Sequence, residues 1–197
     1  MIEKILVATR NKGKMTELVK LLRPLEITLV SLNDLLIEEE IEETGRTFAE
    51  NAIVKAERYG ELGGLPTIAD DSGIEVDALG GAPGIYSARY GGEGFTDLDR
   101  NNLLLKNVKK IPDSSLTARF RCVVALWVPG NKTVTFEGKI EGMIRRFPSG
   151  NNGFGYDPIF FYKPIKKTLA DITSEEKEKI SHRGYAVRMA REYLSKL

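Results

Sequence analysis

One cysteine, one histidine, one tryptophan and no glutamine occur in a chain of 197 residues. A single Cys122 permits neither an intrachain disulfide nor a cysteine-built zinc cage. A lone histidine, His182, argues against Cys–His nucleophile chemistry and a transition-metal cluster as well. An excess of either charge is also missing: 29 Lys and Arg face 28 Asp and Glu, leaving a formal charge of +1. That balance argues against wrapping DNA or RNA through bulk electrostatics, although a small phosphorylated ligand needs only a locally basic site. Long apolar runs are lacking too. The longest, Cys122 to Val128, is far short of the ~20 residues that cross a bilayer, and Met1-Ile2-Glu3-Lys4 has no signal-peptide layout. The expected location is cytoplasmic.

What remains is a globular composition, 42% hydrophobic and 29% charged, at a length typical of one domain. Such a chain buries roughly 70% of the surface its unfolded form exposes, so the core needs no staples. No repeat or linker-like stretch divides it, and residues 1–197 read as a single domain. The 19 glycines exceed the ~7% norm and are clustered, as expected where backbone approaches a ligand.

Ile5 to Ala8 reads as a buried strand, followed by the loop Thr9 to Lys14 and a helix with Met15, Leu18, Val19 and Leu22 on one face. Ile27 to Val30 is a second strand, and this β-α-β opening favours a parallel pair. After an acidic loop from Glu38 to Glu43, Thr47 and Glu50 form a capping-box pattern for a helix that Gly63-Gly64 stops. Pro66 to Ala69 is expected as a short strand emptying into Asp70-Asp71-Ser72-Gly73. A helix over Asp97 to Lys110 precedes two long strands, Leu116 to Val128 and Lys132 to Ile140, joined at Pro129-Gly130-Asn131. A glycine-rich loop spans Ser149 to Pro158. Thr173 and Glu176 then cap one helix, and Ala186, Ala190, Tyr193 and Leu197 form the stripe of a last one. The pattern predicts an α/β fold with a mixed sheet.

Five segments carry candidate chemistry. Strand, Thr9-x-Asn11-x-Gly13-Lys14, then helix is a phosphate-cradle arrangement, although it lacks the first glycine and the Ser/Thr of a Walker loop. The residues alone fit an ordinary Asn-capped helix start as well. Lys55 falls on the apolar stripe of its helix, four residues after Asn51, either snorkelling to water or serving as a second phosphate-facing cation. Asp70-Asp71 at a strand end matches the place where open α/β sheets collect active sites. Adjacent carboxylates there need a compensating cation, and alternation along a strand turns them to opposite faces. In Ser149 to Pro158, glycines flank Phe154, which suits either a base-stacking platform or a plain turn with a core ring. Ser181-His182-Arg183-Gly184 lies between two helical stretches and offers donors for a carbonyl or phosphate oxygen.

In order and at family-like spacing, Thr9-x-Asn11-x-Gly13-Lys14, Glu43-Thr44-Gly45-x-Thr47-Phe48-x-x-Asn51-Ala52, Ala69-Asp70-Asp71-Ser72-Gly73, Gly80-Gly81-Ala82-Pro83-Gly84-x-Tyr86-Ser87-Ala88-Arg89-Tyr90, Phe154-Gly155-Tyr156-Asp157-Pro158 and Ser181-His182-Arg183-Gly184 resemble the inosine triphosphate pyrophosphatase family. Arg10 departs from the glycine that bacterial relatives often carry there. The resemblance implies an elongated central mixed sheet flanked by helices, with two lobes around a deep nucleotide cleft, and a homodimer. It implies Mg²⁺-dependent hydrolysis of ITP, dITP and XTP to the monophosphate and pyrophosphate. By position, Thr9, Arg10, Asn11, Lys12, Gly13, Lys14 and Lys55 would hold the phosphates. Glu43 and Asp71 would hold the metal, with Asp71 also the base for water. Ser72, Phe154, Gly155, Tyr156, Asp157, Lys177, His182 and Arg183 would complete the nucleotide site, and the transfer extends to Arg89. The reading from another class is a non-catalytic nucleotide-binding regulatory module using the same cradle; the Glu43 and Asp71 pair disfavours it.

Overall fold

The computed structural model describes residues 2–196; Leu197, expected on the stripe of the last helix, lies outside them together with Met1. Strand β1 (Lys4–Val7) is buried from Ile5 onward and pairs in parallel with β2 (Thr28–Ser31), Leu6 opposite Val30. Helix α1 (Lys12–Leu22) joins them, burying Leu18, Leu21 and Leu22. On its other side β1 pairs in parallel with β3 (Thr67–Val76), Leu6 opposite Thr67. The β-α-β opening therefore forms as its periodicity predicts.

Among the described residues the sheet has seven strands in the order β2-β1-β3-β4-β5-β6-β7, with β4 at Thr117–Trp127, β5 at Val134–Ile144, β6 at Phe160–Tyr162 and β7 at Lys167–Thr168. β6 runs antiparallel to both β5 and β7, so the sheet is mixed. Helices α2 (Phe48–Gly63), α3 (Asp97–Asn107), α4 (Ser174–Ile180) and α5 (His182–Leu194) complete the α/β fold.

The backbone forms two compact units, each assembled from separate stretches of chain. One contains the chain up to Asp71, Cys122–Gly138 and everything from His182 onward. Ile5, Val7, Leu18, Leu22, Ile68, Cys122, Val124, Leu126, Ala186 and Val187 make its core. The other contains Ser72–Arg121 and Lys139–Ser181. Its core holds Ile74, Leu104, Leu116, Phe120, Tyr156, Ile159, Phe160 and Leu169, with the Phe120 and Phe160 rings 4.7 Å apart. Because β3, β4 and β5 each supply residues to both units, no linker marks a boundary in the sequence.

Several expected boundaries move. The strand expected to stop at Ala69 continues through Asp70-Asp71-Ser72-Gly73 to Val76. Two adjacent carboxylates resemble a turn locally, but cationic and amide partners from elsewhere compensate them and keep the strand going. Gly73 is a strand residue with no room for a side chain: a Cβ there would lie 2.3 Å from the Gly84 carbonyl oxygen. α1 starts at Lys12, inside the expected loop. α3 ends at Asn107 rather than Lys110, and β5 extends to Ile144. Ser181 caps α4, while His182, Arg183 and Gly184 form the first turn of α5 rather than a connector. At α2 only half of the expected capping box forms. Thr47 Oγ1 accepts from Glu50 N at 3.1 Å, but the Glu50 carboxylate takes the Arg46 N–H at 2.7 Å.

Candidate active site

The first unit concentrates charge around the C-terminal end of β1. Asn11 caps α1, its Oδ1 accepting from Lys14 N at 3.0 Å, and Asn11 N donates to Thr9 Oγ1 at 3.2 Å. Lys12 and Gly13 open the helix, and no acidic residue stands in its first turn to offset the positive end. The asparagine-capped helix start is thus observed. Lys14 turns inward, its Nζ 3.3 Å from Asp70 Oδ2. Arg10 behaves differently: its Nη2 donates to the carbonyls of Ile37 and Glu39 at 2.8 and 2.9 Å. It thereby pins the start of the acidic loop, whose Glu39 carbonyl also receives the Tyr59 hydroxyl at 3.2 Å.

That loop delivers Glu43 to α2. Lys55 Nζ lies 2.5 Å from Glu43 Oε1 and 3.7 Å from Asp71 Oδ1, with only 13% of its side chain exposed. It pairs rather than snorkels. Burial opposes its charge, but Asp71, Glu43 and Asp70 outweigh burial and raise its pKa. For Asp71 the balance tips the other way. Burial pushes its carboxyl above the ordinary range against the pull of Lys55 and Lys14, while Glu43 adds to the rise. Asn51 Nδ2 donates to Asp71 Oδ2 at 3.1 Å.

Asp70 points to another set of partners, as alternation along β3 requires. Arg183 Nε and Nη2 donate to Asp70 Oδ2 at 3.1 and 3.0 Å, and Arg183 Nη1 reaches Glu17 Oε2 at 2.5 Å. Burial resists ionisation of Asp70, yet Lys14, Arg183 and Lys55 hold its carboxyl well below the usual value. The Cys122 thiol, buried beside Asp70 at 3.8 Å, is pushed far up by burial and has no thiolate character at neutral pH. Arg183 is 1% exposed, its guanidinium engaged by two carboxylates, and His182 beside it is buried.

The second unit holds Ser72, half-buried on β3, and the glycine-rich loop. The sequence Phe154 to Asp157 closes on itself, since Phe154 N donates to Asp157 Oδ2 at 2.9 Å. Gly153, with φ 74°, makes this possible: a Cβ there would fall 2.0 Å from the same oxygen. Gly155 N donates to Asp97 Oδ2 at 2.8 Å, and Asn101 Nδ2 donates to the Gly155 carbonyl at 3.0 Å. Lys177 of α4 pairs with Asp157 in a buried contact and sits 4.9 Å from the centroid of the Phe154 ring. Tyr156 belongs to the core, its hydroxyl donating to the Ser87 carbonyl at 2.9 Å. Arg89 ends a 3₁₀ turn and is exposed.

Of the expected site residues, Thr9 to Lys14, Glu43, Lys55, Asp71, His182 and Arg183 fall in the first unit, and Ser72, Phe154 to Asp157 and Lys177 in the second. The residues given no role beforehand are Asn51, Glu17 and Tyr59. Asn51 did leave a signal, as an uncharged polar residue on the apolar stripe of α2.

Among the described residues no cluster of three or more His, Cys, Asp or Glu side chains could enclose a metal ion. Two carboxylates do converge, however, with the Lys55 ammonium against both. One buried oxygen nearby in the chain, Asp70 Oδ1, has no hydrogen-bond partner. A hard-oxygen set this small does not enclose an ion, but it suits Mg²⁺, which takes one or two protein carboxylates and completes its octahedron with water and phosphate.

Comparison with known proteins gives one consistent answer. The chain is 47% identical over 187 residues to the dITP/XTP pyrophosphatase of Bacillus licheniformis, covering 95% of each, and 47% identical to that of Geobacter sulfurreducens, covering 97% of this chain and 96% of the relative. A solved HAM1 protein of Coxiella burnetii superposes with a TM-score of 0.90 at 41% identity over the full length of both chains. The Ham1 family profile matches residues 5–193, from β1 to the last turn of α5. By sequence, by fold and by the order of its motifs, this chain belongs to the Ham1 family.

Proposed function

We propose that this chain is a nucleoside triphosphate pyrophosphatase that hydrolyses dITP, XTP and ITP to the monophosphate and pyrophosphate, cleansing the nucleotide pool of deaminated purines. The observation that carries the reading is the convergence of Glu43 and Asp71, from separate segments, on Lys55 in the unit that also holds the capped N-terminus of α1. Two named relatives act on dITP and XTP, which agrees with it.

The triphosphate is an anion, and the Thr9 to Lys14 turn meets it with backbone N–H groups and the positive helix end. Lys14 and Lys55 add cations for the departing pyrophosphate. Glu43 and Asp71 would hold a divalent cation such as Mg²⁺, which would supply charge neutralisation for the phosphates. Water attacks the α-phosphorus, its oxygen bonds to phosphorus, the bond to the pyrophosphate oxygen breaks, and Asp71 takes the water's proton. No covalent nucleophile is needed, in keeping with the inert Cys122. Within the second unit, Phe154 beside Lys177 presents an aromatic ring of the kind that stacks a base, in a turn that Gly155, Tyr156 and Asp157 shape. In this reading donors at the first turn of α5, around His182 and the carboxylate-held Arg183, suit a 6-oxo purine, whereas adenine would place donor against donor. In this reading the enzyme works in the cytoplasm as a homodimer.

The decisive experiment incubates the chain and Mg²⁺ with ITP, dITP, XTP and the ordinary triphosphates, and assays pyrophosphate against orthophosphate. Pyrophosphate from the first three, at rates about 10²-fold or more above ATP, is expected. Orthophosphate as the first product, or equal turnover of ATP, would overturn the assignment.

A further inference from the structure

Charge is not the only tie between the two carboxylates. Asn51, 0% exposed, sits in the first turns of α2 with both ends of its amide in use. Its Oδ1 accepts from Gly45 N at 2.8 Å, and its Nδ2 donates to Asp71 Oδ2 at 3.1 Å. Only one orientation satisfies both partners: flipping the amide would set N–H against N–H and oxygen against carboxylate. Gly45 stands two residues after Glu43. A Cβ at Gly45 would lie 2.6 Å from Asn51 Oδ1 and 2.7 Å from Glu50 Cβ, so the close approach that makes this bond excludes any side chain there.

Two ties therefore run in parallel between the segment carrying Glu43 and the strand carrying Asp71. One is ionic, through Lys55; the other is neutral, through Asn51. They differ in what a cation does to them. A divalent ion held by Glu43 and Asp71 would compete with the Lys55 ammonium for these carboxylates and weaken the ionic tie. The Asn51 amide has no charge of its own for a cation to displace, so its bonds to Gly45 N and Asp71 Oδ2 would persist. We propose that Asn51 is a positioning residue of the reaction, holding Asp71 by Oδ2 and the Glu43 segment by Gly45 N so that the separation of the two carboxylates survives binding of the metal–nucleotide complex. This rests on the assignment of Asp71 and Glu43 above.

The test uses the full chain with Mg²⁺ and dITP, comparing wild type with Asn51→Asp, Gly45→Ala, their double variant and Asp71→Asn. Asn51→Asp keeps the acceptor for Gly45 N but replaces the donor with an oxygen facing Asp71. Gly45→Ala disturbs the same bracket from the loop side. The expected result for each single variant is a fall in kcat of about 100-fold with KM for dITP within about threefold, assayed well below its melting temperature, together with about tenfold weaker binding of Mg²⁺ alone by isothermal titration calorimetry. The double variant should be about as impaired as the worse single one, because both break one bracket. Wild-type kcat in Asn51→Asp, with Asp71→Asn inactive, would overturn this proposal alone. A defect in the variants that disappears on cooling would do the same, marking the role as structural. Full activity of Asp71→Asn would overturn the catalytic assignment and this inference with it.

Discussion

Asp71 and Asp157 are both buried carboxylates next to a lysine, yet their surroundings assign them different work. Asp71 is contacted through Asn51 and Lys55 and has its pKa pushed up by burial, in keeping with a group that accepts a proton. Asp71→Asn should lower kcat by about 10²–10⁴-fold, the usual worth of a general base, while leaving KM for dITP within a few-fold; steady-state kinetics check this. Asp157 instead braces a turn, tying Phe154 N and pairing with Lys177, whose side chain is 7% exposed. Asp157→Asn sets the buried ammonium against a neutral amide and should cost about 3 kcal/mol in urea unfolding. Both aspartates stand out in the sequence, one by its neighbour Asp70 and one by its glycines and proline. Their division of labour does not, because it follows from Asn51 on α2 and Lys177 on α4.

The helices and turns show how far local rules reach. Thr47, Thr96 and Thr173 each accept from the N–H three residues on, as a helix start marked by threonine and a later acid predicts. Thr47→Ala should destabilise the chain by about 1 kcal/mol in a urea titration. It should also loosen the helix that carries both Asn51 and Lys55. The short turn after β7 uses the same device. Asp171 Oδ2 accepts from Thr168 N at 3.0 Å, and Oδ1 accepts from Ser149 Oγ at 2.7 Å. The Ser149 hydroxyl first, then the Thr168 N–H, lower the Asp171 pKa, with burial opposing them. A carboxyl lowered in the folded state stabilises fully above its unfolded value near ~3.9 and loses that contribution as pH falls through the folded value. Melting curves should therefore separate wild type from Asp171→Asn at pH 7, and the gap should narrow below about pH 4. What escaped local rules was the strand through Asp70 and Asp71. Its continuation depends on Lys14, Lys55, Asn51 and Arg183, which lie elsewhere in the chain.

Across the chain, each unit has an apolar core of its own and Lys55 already lies against both Glu43 and Asp71, so the fold is expected to stand without a bound cation. Chelation with EDTA should accordingly abolish dITP turnover and leave the far-UV circular dichroism and melting temperature unchanged, with activity returning on addition of Mg²⁺. The amino-acid order was enough for the β-α-β opening, the mixed sheet, the threonine caps of α2 and α4 and the identity of the residues in each motif, because periodicity, capping and turn preferences act over a few neighbouring positions. It was not enough for the pairing of charges. Arg183 meets Asp70 and Glu17 across 113 and 166 residues, and Asn51 reaches Asp71 across 20. Which partner a charged or amide group takes depends on burial and on the sheet order that brings strands together, and those arise only once distant segments have packed.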